Sequence, residues 1–153
     1  MKVEKRGFTL AELLVVIALM AVMATVALSS FTKSQKKGRD ARRKQDLSEI
    51  RKALELYNQD NNEYPPTLNS PLEHPTTEGV VYMVKVPSDP KSGYSYIYDG
   101  EVDDGQGFRL HARLEYDKDS DINCPDGSGE DCGVVNCNYV VTSPGTSLPA
   151  GCE

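Results

Sequence analysis

The chain has 153 residues, 26% of them charged, a formal net charge of −6 at pH 7 and four cysteines. That length allows one small domain beyond any membrane segment. The acidic balance excludes a nucleic-acid binder as a whole.

Residues 1–7 are basic, with Lys2, Lys5 and Arg6 against Glu4, and they end at Gly7. No Pro or Gly interrupts residues 8–37, and from Leu13 to Leu28 the only polar side chain is Thr25. About 20 apolar residues cross a bilayer as a helix. A charge at the centre of such a span costs roughly 2.5–3.5 kcal/mol and less near an end. Glu12, close to the start of the apolar run, therefore needs a compensating role. Both flanks of the span are basic, so the charge rule for orientation is silent.

Helical character continues beyond the span. Leu47, Ile50, Leu54 and Tyr57 recur at offsets of three and four, which places them on one face. Residues 32–46 read as a wet, basic stem, with a bend allowed at Gly38, where glycine costs about 1 kcal/mol. The helix is predicted to stop at Asn61-Asn62, ahead of Pro65-Pro66. Residues 65–79 form a loop. Strands are predicted at Val80–Val84, Tyr94–Tyr98 and Phe108–Glu115, with an irregular one at Val134–Val141. Phe108, Leu110, Ala112 and Leu114 share one face of the third, and 103–107 closes a hairpin.

Residues 33–52 carry nine Lys/Arg against three Asp/Glu, and residues 99–131 carry eleven Asp/Glu against three Lys/Arg. The two patches suit either contact between subunits or independently solvated surfaces. Lipid headgroups are a further reading of the basic stretch, and DNA another.

Cys124, Cys132, Cys137 and Cys152 are an even set late in the chain, without a Cys-x-x-Cys pair or a nearby histidine. They read as two disulfides rather than zinc ligands. Sequence does not choose among the three pairings; sequential pairing, 124–132 and 137–152, is preferred because both loops are short. No Ser-His-Asp or Cys-His constellation, phosphate loop or metalloprotease helix is present, so an enzyme is not expected. His111 reads as an exposed histidine between Arg109 and Arg113, and His74 as a loop residue.

The run Lys5-Arg6-Gly7-Phe8-Thr9-Leu10-Ala11-Glu12-Leu13 closely resembles the prepilin leader of type IV pilins and type II secretion pseudopilins. Leu54–Pro65, and Val84–Pro90 followed by Tyr94-Ser95-Tyr96, are similar to the helix end and sheet entry of the major pseudopilin family. Ala21 and Ser29 stand where most members carry a helix-loosening Gly and Pro. The resemblance implies cleavage by a prepilin peptidase between Gly7 and Phe8, N-methylation of Phe8, and an assembly role for Glu12.

It also implies an α+β pilin-like fold, with a long N-terminal helix on a small antiparallel sheet. The disulfide-bearing C-terminal loop read from the cysteines departs from the major pseudopilin, whose loop typically lacks disulfides, and is closer to type IV pilins. The expected organisation is a leader at 1–7, a membrane and filament-core helix at 8–31, a stem and amphipathic continuation at 32–62, and a head at 63–153. A secretory signal cut near Ala27-Leu28-Ser29, or a plain signal anchor, is the bland alternative. The expected function is that of a filament subunit. The expected partners are copies of itself, related minor subunits, the peptidase and an inner-membrane assembly platform. The expected location is the inner membrane with an extracytoplasmic head, then a filament in the periplasm or at the surface. Major-pseudopilin-like secretion is preferred to a type IV pilus. From a different class, the alternative is a monomeric anchored protein whose acidic head binds a cation or ligand.

Asp117, Asp119 and Asp121, with Asp126 close behind, suit a hard cation, and the resemblance to the major pseudopilin implies calcium. The EF-hand pattern is absent, since Ile122 and Ser128 occupy its Gly and Glu positions. The acidic hairpin at 99–104 is a poorer second candidate.

Overall fold

The computed structural model describes residues 7–125 and 127–153, with the backbone alone for 26–29. The leader residues 1–6 and Asp126 lie outside the described residues. The chain divides into two units, Met1–Lys36 and Lys37–Glu153. One helix, α1, runs from Leu10 to Asn61. Its end follows from Asn62, which takes a left-handed φ of 58° and gives its N–H to the Asn58 carbonyl at 2.7 Å. Asn is one of the few residues that tolerate this cap conformation.

In the first unit, every residue from 7 to 25 is exposed. Thr25 is the polar exception in the apolar run, and its hydroxyl donates to the Val22 carbonyl at 2.7 Å, so it carries no unsatisfied donor. Among the described residues, α1 is the one helix long and apolar enough to cross a membrane.

In the second unit, five strands follow α1: β1 Leu72–Glu73, β2 Val81–Met83, β3 Ile97–Val102, β4 Gly107–Ala112 and β5 Tyr139–Thr142. β1 and β2 pair with each other, and the main sheet has the order β3-β4-β5, antiparallel throughout. A short 3-10 turn, Asp103–Gly105, joins β3 to β4. Leu47, Ile50, Ala53, Leu54 and Tyr57 of α1 form one core with Tyr64, Leu72, Phe108, Leu110 and Ala112. Tyr64 meets Phe108 edge to face, ring centroids 4.9 Å apart. The predicted alternation in β4 holds: Phe108, Leu110, Ala112 and Leu114 are fully buried.

Several sequence expectations are corrected. The aromatic stretch 94–96 is not the start of β3. Tyr94 bridges Gly133 and the Ser95 N–H bonds the Cys132 carbonyl at 3.2 Å, so the segment is engaged by the C-terminal region. β3 begins instead at Ile97 and runs into the acidic residues. Gly133 is required at that crossing, because at φ 90° a side chain there would strike the Gly93 carbonyl. β4 ends at Ala112, short of Glu115, and Asn138 takes over the pairing. Its side chain bonds the Leu114 N–H at 2.7 Å and the Leu114 carbonyl at 3.2 Å. β1 was expected to be loop, and the last strand lies at 139–142 with Val134 exposed.

The disulfides are Cys124–Cys152 and Cys132–Cys137, nested rather than sequential. Residues 131–137 form a tight hairpin held by the Cys132 N–H to the Val135 carbonyl and the Cys137 N–H to the Glu130 carbonyl. The chain end meanwhile returns beside residue 123, where the Glu153 N–H bonds the Asn123 carbonyl at 2.7 Å. Those two backbone arrangements, not loop length, select the pairs.

Candidate functional site

At the start of α1 the residues after Gly7 form a capping box. The Glu12 N–H bonds the Thr9 hydroxyl at 3.3 Å, and Glu12 Oε2 accepts the Thr9 N–H at 2.8 Å and the Thr9 hydroxyl at 2.7 Å. Thr followed three residues later by Glu is the pattern that satisfies free N–H groups at a helix start. Gly7 and Phe8 stand outside the helix and are exposed. The carboxylate thus has local partners in a single chain. The apolar side chains after it have none among the described residues: Leu13 is 57% exposed and Met23 73%. An exposed apolar surface of this extent marks a membrane or protein contact.

The second unit holds a group of charges that the sequence did not disclose. Arg43 is fully buried. Its Nε and Nη2 meet the two oxygens of Asp89 at 2.7 and 2.8 Å, and Nη1 meets Asp40 at 2.7 Å and Glu115 at 2.8 Å. Glu115 also accepts two bonds from Arg39, both 2.7 Å, and one from Lys91 at 3.2 Å. Asp40 accepts the N–H groups of Glu115 and Tyr116, each at 2.9 Å. Three cations thus face three carboxylates, linking α1 to the turn at 89 and the segment after β4.

The electrostatics follow the contacts. Hydrogen bonds from Arg39, outweighing burial and joined by those from Arg43 and Lys91, hold Glu115 down at about 2. Burial alone would weaken the charge on Arg43, but its bonds to Asp89, Glu115 and Asp40 win and raise its pKa. Farther along α1, Asp46 accepts the Tyr96 hydroxyl at 2.8 Å. Burial first, then this carboxylate, raises the pKa of that phenol.

Residues 39–46 are therefore not a wet stem. Asp40, Arg43 and Asp46 are buried on the same helical face as Leu47 and Ile50. Arg39, Arg43 and Lys44 are paired within their own chain, which leaves a smaller basic surface for other molecules. The one sequence cue was Asp40 and Arg43 at i, i+3, a spacing that allows contact on a helix.

His111 is 2% exposed, not a surface residue. Its Nδ1 lies 2.8 Å from the Ser128 hydroxyl, so the C-terminal segment reaches the face of β4 opposite α1. Burial lowers its pKa. His74, as expected, is a loop residue, and its Nδ1 accepts the N–H groups of Thr76 and Thr77.

Of the four acidic residues expected to hold calcium, Asp119 and Asp121 are brought together, both on Lys44 Nζ, at 2.6 and 2.7 Å. Asp117 does not join them. Among the described residues no group of three or more His, Cys, Asp or Glu could hold a metal ion. Asp103 and Asp104 of the acidic hairpin sit in the 3-10 turn with positive φ.

Comparison with known proteins agrees with this layout. Residues 4–28 match the prokaryotic N-terminal methylation motif, and residues 30–111 match the family described as type II secretion system protein G. The chain belongs to the type II secretion protein G family. It is 30% identical over 109 residues to the type II secretion system core protein G of Escherichia coli strain K12, covering 64% of this chain and 75% of that protein. It is 26% identical over 132 residues to that of Aeromonas hydrophila, covering 79% and 92%. The match to the Dickeya chrysanthemi protein spans 61% of its length. A type IV wide pilus major component of Thermus thermophilus, PilA4, is 39% identical over 59 residues, which is 39% of this chain and 45% of that one. No solved structure matches. The protein G family match ends at residue 111, so the disulfide-bonded segment lies beyond it.

Proposed function

We propose that the chain is a structural subunit of a type II secretion pseudopilus, made as a precursor anchored in the inner membrane with its head outside the cytoplasm. A prepilin peptidase cuts between Gly7 and Phe8 and methylates Phe8. The mature helices then leave the bilayer for contact with copies of the chain and related minor subunits at an assembly platform. The observation that carries this reading is the apolar first part of α1, exposed at every residue through 25, which follows an accessible Gly7-Phe8 pair and is capped by Thr9 and Glu12.

In this reading Glu12 has two successive partners. Before assembly the Thr9 N–H and hydroxyl satisfy it. On docking, the terminal amine of a neighbouring subunit competes for it where water is scarce and attraction is poorly screened. Mass spectrometry of assembled protein is expected to show Phe8 first, carrying one methyl group. Residues 1–7 retained, or a start near Ser29, would refute the processing step. Glu12→Gln keeps an acceptor for Thr9 and removes the charge; Glu12→Val removes both. Both variants are expected to be cleaved and inserted normally but to give few filaments. Normal filament yield from Glu12→Gln would refute the pairing with the amine.

The two disulfides beyond the family match, together with the likeness to the Thermus pilus component, favour a type IV pilus as the second reading. Immunogold labelling separates the two: filaments reaching beyond the outer membrane support the pilus, and confinement to the periplasm supports secretion.

A further inference from the structure

After β4 the chain turns through 116–122. The Asp119 N–H bonds the Tyr116 carbonyl at 2.9 Å, the Ile122 N–H bonds the Asp119 carbonyl at 3.3 Å, and the Asp121 N–H bonds Asp119 Oδ1 at 3.0 Å. This folding draws two carboxylates to one point. Lys44 of α1 occupies that point, with Nζ 2.6 Å from Asp119 Oδ1 and 2.7 Å from Asp121 Oδ2. The lysine is three-quarters covered, with 24% of its side chain exposed, and Asp119 has 14%. About two helical turns earlier, Lys37 Nζ lies 4.5 Å from the centroid of the Tyr116 ring. Two lysines on one side of α1 therefore hold both ends of the turn.

Calcium, which the family resemblance implies for this region, needs six to eight oxygens at about 2.3–2.6 Å. The residues present do not fit it. Two carboxylates converge, and the space between them holds an ammonium group at hydrogen-bond distance from each. An added divalent ion would face that like charge directly. Unlike a bound metal, the ammonium cannot dissociate from the chain, so its local concentration does not depend on the medium.

We infer that Lys44 is the resident cation of the 116–122 turn, taking the place of a divalent metal, so that the head is ordered independently of calcium. This goes beyond the filament assignment and does not rest on it, since it concerns the folded head alone.

The test is thermal and urea unfolding of the full chain in detergent micelles, in millimolar calcium and in chelator. The wild-type midpoint is expected to be the same in both. Lys44→Met, which keeps the stem and loses the charge, is expected to lower the folding equilibrium constant roughly tenfold, since two charge-assisted bonds are lost. Lys44→Arg should retain most of it. Asp119→Asn with Asp121→Asn should cost far less in the Lys44→Met background than in the wild type, because the partner is already gone. A wild-type midpoint raised by calcium would overturn the inference, as would a Lys44→Met variant as stable as the wild type. Were Lys44→Met not to fold, the wild-type comparison and Lys44→Arg would still decide.

Discussion

Replacing Arg43 with methionine should be among the most damaging single changes in the head. Methionine fills part of the guanidinium volume but leaves Asp89 with one described bond, from the Lys91 N–H at 2.8 Å, in place of the two it receives from Arg43. Asp40 keeps its two backbone N–H donors, and Glu115 keeps Arg39 and Lys91. The main penalty is thus a buried, uncompensated Asp89. Breaking a buried ion pair on one side typically costs about 3–5 kcal/mol. For a unit of the size of Lys37–Glu153, the usual unfolding entropy converts this to a fall of roughly 12–20 °C in the midpoint. The assay is thermal unfolding of the full chain in detergent, followed by near-ultraviolet circular dichroism of the eight tyrosines, since there is no tryptophan. Adding Asp89→Asn should recover part of the loss, because the stranded charge is removed. A midpoint within about 4 °C of wild type for Arg43→Met, equivalent to about 1 kcal/mol, would refute the assignment of Arg43 as the centre of the charge cluster.

Acid should act through Glu115. Its folded pKa, about 2, lies below the unbound value of 4.5, so the unfolded chain binds more protons between these values and stability falls as pH drops through that window. The full shift corresponds to about 3 kcal/mol, and Glu115→Gln should flatten that part of a stability–pH profile. His111 adds an earlier step of the same sign. Burial lowers its pKa from 6.5, so stability present above that value should begin to fall below it, and His111→Asn should remove the step. Peptide mapping of non-reduced protein should return the pairs 124–152 and 132–137. Removing the first, with 28 residues of separation, should cost about 3.6 kcal/mol, against about 2 kcal/mol for the second, with 5. Equal costs would show that loop closure is not the main contribution.

Legibility followed range. The helix face Leu47–Tyr57 and the buried side of β4 were readable because each is a local period of apolar residues. The same helix face continues through Asp46, Arg43 and Asp40, but an apolar count stops where charges begin, so a buried paired face looked like a solvated one. The partners that make it burial-compatible, Asp89 and Glu115, lie 46 and 72 residues away, and no local pattern joins them. His111 looked exposed for a related reason. Alternation predicts which side of a strand faces α1, not that residue 128 will reach the other side. At the helix start the opposite held. Thr9 and Glu12 are three residues apart, and both stand in the run that carries the family resemblance, although the cap they form was not read from it.

The attachment of the head to its helix has a mechanical meaning. Within the second unit the peptide chain leaves α1 at Asn61, whereas the ionic contacts grip it about five turns earlier, at residues 39–44. A sideways pull on the head therefore cannot swing it about the 61–64 connection alone. It must first stretch several short, charge-assisted bonds at the opposite end of the helix segment. With the core residues from Leu47 to Tyr57 seated between these two places, such a mounting resists torque far better than a single hinge.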